Sequence, residues 1–98
     1  MDYRIVFVHS TMYGEGFLNE MNKIMLQPKV VTIKVIPPTA TEDEVWDDFE
    51  VIMTLKVDKS IDALISGLVI MKQLMTEFGI DTFAIVGPSG FRFTEENL

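Results

Sequence analysis

The chain of 98 residues contains no cysteine. A disulfide framework, a thiolate metal site and a cysteine nucleophile are therefore excluded. Histidine occurs once, at His9, and tryptophan once, at Trp46. Basic residues are scarce: eight Lys and Arg stand against fifteen Asp and Glu, a net charge of −7. Phosphate backbones repel such a chain, so nucleic acid is not expected as a partner. Acidity favours basic protein surfaces instead. No apolar run reaches the roughly 18 residues of a membrane-spanning helix. The opening MDYRIVFVHS has an acid at position 2 and too short an apolar run for a signal peptide. A cytoplasmic location is the expectation.

What is present suits one globular domain over residues 1–98. Hydrophobic residues make up 48% of the chain, enough for a core, and a chain of this size buries about two thirds of its unfolded surface. Seven methionines are many for this length; most are expected as flexible filler in the core.

The longest periodic stretch is Lys59 to Gly79. Ile61, Leu64, Leu68, Met71, Met75 and Phe78 recur at intervals of three and four, which places them on one face of a helix. Ile65, Ile70 and Leu74 widen that face, and the Ile70–Leu74 edge is a candidate contact for a second helix or a partner. Ser60 is the expected N-cap, and Gly79 the residue that ends the helix. Gly67 costs about 1 kcal/mol of helix stability relative to Ala, which points to close packing against it.

Strand-like runs flank this helix. Tyr3–Val8 is apolar in both alternating sets, the mark of a central strand. A helix is expected over 14–26, with Phe17, Leu18, Met21, Ile24 and Met25 on its apolar face, stopped by Pro28. Strands follow at 29–36, 48–57 and 82–86. Gly87-Pro88-Ser89-Gly90 signals a turn. Phe91–Phe93 then forms a short fifth strand or an ordered tail, and 94–98 is expected to fray.

The order β-α-β-β-α-β resembles the ferredoxin-like, split βαβ architecture. That resemblance implies an α+β fold, with two helices on one face of a four-stranded antiparallel sheet and the first and third strands central. It is a likeness of architecture, and such a fold hosts many activities.

Six of the fifteen acids fall within Glu42–Glu50, with no basic residue among them. Glu42, Asp43, Glu44, Asp47 and Asp48 surround Trp46 in a connection spanning residues 37–48. One reading is a solvated loop whose Val45 and Trp46 fold back on the core edge, with a capping box at Thr41 and Glu44. The other is an acidic docking loop anchored by Trp46, because tryptophan buries a large rigid area at interfaces and the carboxylates steer a basic partner to it. Asp43, Glu44, Asp47 and Asp48 offer hard oxygen ligands, but their spacing fits no EF-hand loop, so no metal is expected. The two glycines of Ser10–Gly16 lack the pattern of a phosphate cradle, and no cofactor is expected.

His9 closes the first strand beside Ser10 and Thr11 and is expected as a polar strand-end residue, with acid–base work only if a cleft forms there. The sheet face away from the helices is expected to carry Val30, Thr32, Lys34, Ile36, Ile52, Thr54 and Lys56. It has no stacking aromatic on the third strand, and Val30, Thr32, Ile36, Ile52 and Thr54 are the candidate interface, a homodimer being the main quaternary expectation.

Three function classes follow. The first is a small acidic interaction protein, an inhibitor, adaptor or regulator such as a phage or mobile element encodes. The second is a small-molecule-binding or catalytic dimer with His9 and Tyr13 at a cleft. The third is nucleic-acid binding through a stripe of Arg4, Lys29, Lys34 and Lys56. The first is preferred, and enzymatic activity is not the leading expectation.

Overall fold

The computed structural model describes residues 2–10, 15–36 and 48–98. It is an α+β structure with two helices and one five-stranded antiparallel sheet. The elements are β1 (Asp2–Ser10), α1 (Glu15–Met25), β2 (Val30–Ile36), β3 (Asp48–Lys56), α2 (Ser60–Phe78), β4 (Phe83–Val86) and β5 (Arg92–Thr94), followed by a 3-10 turn at Glu95–Asn97. The strand order is β2-β3-β1-β4-β5, and every neighbouring pair is antiparallel.

β1 is interior, as its two-sided apolar pattern predicts. It pairs with β3 along its whole length and with β4 from Arg4 to Phe7. The sheet has five strands rather than four. The turn at 87–90 sends the chain back along β4, with Ser89 and Gly90 both at positive φ, and Phe93 stands opposite Ile85. Phe91 meets the Tyr3 ring edge-on, with centroids 5.6 Å apart, so these two aromatics extend the core beyond β4.

The tail also differs from expectation. Thr94 caps the 3-10 turn, accepting a hydrogen bond from the Glu96 N–H. The Phe83 N–H donates to Glu95 Oε2 at 3.1 Å, tying the turn to β4.

The core lies between the sheet and the helices. Ile5, Val51, Met53, Leu55 and Ile85 are at 0% exposure, one alternating set of β1, β3 and β4. α2 covers them with Ala63, Gly67, Ile70, Met71 and Leu74. Its buried face is thus turned relative to the expected stripe. Ile70 and Leu74 are core rather than a spare edge, while Ile61 and Ile65, together with Val69, are exposed along the outer crest. Small residues decide the turn: a Cβ on Gly67 would lie 2.7 Å from Ile85 Cδ1, so the helix settles where Ala63 and Gly67 allow the closest approach. Gly79 ends α2 as expected, at φ 65°, its N–H donating to the Met75 carbonyl. Ser60 is not the N-cap. Lys59 holds that position without a side-chain bond, and Ser60 Oγ shares a 2.8 Å hydrogen bond with the Tyr3 hydroxyl.

α1 packs through Phe17, Met21 and Ile24, while Leu18 and Met25 are exposed. Glu20 is buried at 6%. It accepts a hydrogen bond from Gln73 Nε2 at 2.6 Å and lies 3.8 Å from Lys23 Nζ, joining the two helices.

Candidate functional site

The helices cover one face of the sheet, so the strand register assembles the other face residue by residue. Thr32, Thr54, Arg4, Val86 and Arg92 stand side by side across all five strands. Lys34, Ile52, Val6, Ala84 and Thr94 form the next row. Ile36, Glu50 and Val8 form a third across β2, β3 and β1. Rows lie about 7 Å apart, two residues along a strand. Neither α1 nor α2 covers them: among the described residues Val8 is 48% exposed, and Val6, Ile36, Ile52, Thr54 and Ala84 are half-buried.

Four of the five residues expected at this interface, Thr32, Ile36, Ile52 and Thr54, occupy the open face. Val30 does not. A β-bulge between Val30 and Thr32 turns it to the helix side opposite Leu55, where it is 7% exposed. Alternation counted back from Thr32 misses this because a bulge inserts one extra residue and reverses the parity of what precedes it.

The charges on this face are sorted along the strands. Arg4 and Arg92 share the first row, with Lys56 beyond it opposite Asp2. Glu50 lies in the third row, and Glu95 and Glu96 rise beside it on the 3-10 turn. There a concavity of about 480 Å³ is lined by Val6, Val8, Glu50, Arg92, Glu95 and Glu96 among others. The face therefore has an end richer in cations, where Asp2 is the one acid, an aliphatic middle, and an end richer in acids, whose concavity Arg92 also lines. Among the described residues the only ion pair within 4.0 Å is Lys23–Glu20, so the charges of the open face pair with none of them. Of the stripe named from sequence, Arg4, Lys34 and Lys56 share this face and Arg92 joins them, while Lys29 precedes β2 and is not part of the strand. Arg92 was not foreseen, because its side depends on the pairing of β5.

His9 is placed differently from its expectation. It is 4% exposed, stacked on Phe17 with centroids 4.1 Å apart, and meets Phe78 edge-on at 5.8 Å. Phe17 and Phe78 also meet edge-on at 5.4 Å. His9 is thus part of an aromatic cluster in the core rather than an exposed strand-end residue. Parity along β1 could have found this, since His9 follows Tyr3, Ile5 and Phe7 on the covered side.

The acidic segment lies outside the described residues, with Glu42, Asp43, Glu44, Trp46 and Asp47. So do the Thr41 capping box, Tyr13 and the centre of the Ser10–Gly16 connection. Asp48 is described as the first residue of β3, paired with Ser10. Among the described residues no group of three or more His, Asp or Glu could hold a metal ion, and no helix is long and apolar enough to cross a membrane. Compared with known proteins, the chain matches no family model, no curated sequence and no solved structure.

Proposed function

We propose that this chain is a small acidic protein-interaction module of ferredoxin-like architecture, with β5 added to its four-stranded sheet, acting in the cytoplasm as an inhibitor, adaptor or regulator. The observation that supports this reading best is the open sheet face. Val6, Val8, Ile36 and Ile52 form an aliphatic band that neither α1 nor α2 covers, and burying such a band against another protein removes apolar area from water. The ferredoxin-like reading is supported by strand order: β1 and β2 run parallel with β3 between them, and β3 and β4 run parallel with β1 between them.

The acidic segment belongs to the same proposal. Glu42, Asp43, Glu44, Asp47 and Asp48 attract a basic protein surface, and Trp46 supplies the rigid anchor. Ile36 and Asp48, which flank the segment, both lie at the acidic end of the sheet. Capture from lysate of the native host is expected to return one stoichiometric protein, and Trp46→Ala combined with Asp47→Ala is expected to release it. Retention by the double variant would take the segment out of the reading.

A further inference from the structure

We propose that the open sheet face binds a second copy of this chain, the two sheets stacked face to face about a two-fold axis that runs across the strands. The argument rests on the charge order of the face and on symmetry.

A two-fold interface brings the same patch of both copies together, so the patch must complement itself. Two arrangements are open to stacked sheets. With the axis along the strands, the cation-rich ends would coincide, placing Arg4 of one copy over Arg4 of the other with Lys56 and Arg92 of both copies in the same end of the interface. Like charges brought together in this way oppose association. With the axis across the strands, each copy is reversed relative to its partner. The row of Arg4 and Arg92 of one copy then lies over the row of Glu50 of the other, Arg4 over Val8 and one strand away from Glu50, and Arg92 over the turn of Glu95 and Glu96, and the reciprocal contact forms at the opposite end. The middle row falls on itself, so Val6, Ile52 and Ala84 of the two copies meet. The concavity at the acidic end, lined by three carboxylates, Glu50, Glu95 and Glu96, against one cation of its own, Arg92, receives the second copy's Arg4. Lys34, at the β2 edge of the middle row, lies at the rim.

The size of the face sets the strength. Five strands about 4.8 Å apart and the six steps from Lys56 to Glu50 span roughly 20 by 20 Å, smaller than the patch of about 800 Å² per partner typical of stable complexes. Exposed ion pairs add little affinity but fix orientation. The expected dimer is concentration-dependent and uniquely oriented. This inference rests on reading the open face as an interaction surface, but it is measured as self-association. Capture by the acidic segment can therefore fail or succeed independently of it.

The test is sedimentation equilibrium across a concentration series. The wild-type chain is expected to move from its 11.2 kDa monomer to twice that mass. Arg4→Glu and Glu50→Lys each introduce two like-charge contacts into the symmetric dimer and are expected to weaken it about tenfold or more. Both positions are exposed, and circular dichroism is expected to show the wild-type fold. Mixed in equal amounts, the two variants are expected to dimerise again, because both reciprocal contacts become pairs of opposite sign. A wild-type chain that stays monomeric at its highest soluble concentration overturns the proposal. A dimer indifferent to both reversals, or a mixture that does not recover, overturns the crossed arrangement. Binding of a single-stranded oligonucleotide at low salt, lost in Arg4→Glu, would assign the cations to nucleic acid and overturn it as well.

Discussion

The two faces of the sheet are built from the same strands and differ in every respect that matters for function. On the covered side, Ile5, Val51, Met53, Leu55 and Ile85 are wholly buried. On the other, Arg4, Val6, Glu50, Ile52, Thr54 and Ala84 alternate with them one residue away. The covered face is aliphatic and close-packed, so it contributes stability. The open face mixes aliphatic and charged groups, and neither helix touches it. A strand side chain is thus committed to folding or to recognition by its parity alone. The two commitments can be separated experimentally.

The largest expected effect is on the covered face. Leu55→Ala removes a fully buried side chain from the middle of β3, opposite both Tyr3 and Val30. It is expected to cost about 2–5 kcal/mol in urea denaturation. A loss below about 1 kcal/mol would mean that the core is far looser than its burial implies.

A smaller effect is expected where the hairpin of β4 and β5 meets the core. A Cβ at Gly87 would clash with Cδ2 and Cε2 of the Tyr3 ring. That ring is held by its hydroxyl contact with Ser60 and by the edge-on contact with Phe91, so it has little room to yield. Gly87→Ala is therefore expected to destabilise the chain by about 1–3 kcal/mol, read as a lower thermal midpoint. An unchanged midpoint would show that the hairpin moves away at little cost, making β5 a loosely attached edge.

The smallest effect on folding is expected on the open face. Ile52→Thr keeps a β-branched residue in a β-strand and removes part of a half-buried side chain. Its unfolding free energy is expected to stay within about 1 kcal/mol of wild type, while self-association weakens. A large loss of stability with association intact would invert the comparison between the faces.

Much of this division was legible in the sequence. The two-sided apolar pattern of β1 marked an interior strand, and the alternation in β2 and β3 identified the sides of Thr32, Lys34, Ile36, Ile52, Thr54 and Lys56. It did so because an unbroken strand has a strict two-residue period. Val30 escaped because a bulge breaks that period without leaving a mark in residue type. The rotation of α2 escaped for a related reason. Apolar residues occupy so much of its circumference that periodicity could not choose the buried centre, and Ala63 and Gly67 are too small to weigh in a hydrophobic count although they set the approach. Glu20 escaped because its burial depends on Gln73, 53 positions away.

The sequence alone determined the element order, the acidic balance and the amphipathic periods, since these follow from local residue types and their spacing. Only the tertiary structure decided which residues share a surface. Arg4 and Lys56 gather at one end of the open face, and Glu50, Glu95 and Glu96 at the other around a concavity that Arg92 also lines, because strands distant in the chain pair in one register. His9 lies among Phe17 and Phe78 because β1 and both helices close around it. Pairing and packing act between residues far apart in sequence, and no local pattern encodes their outcome.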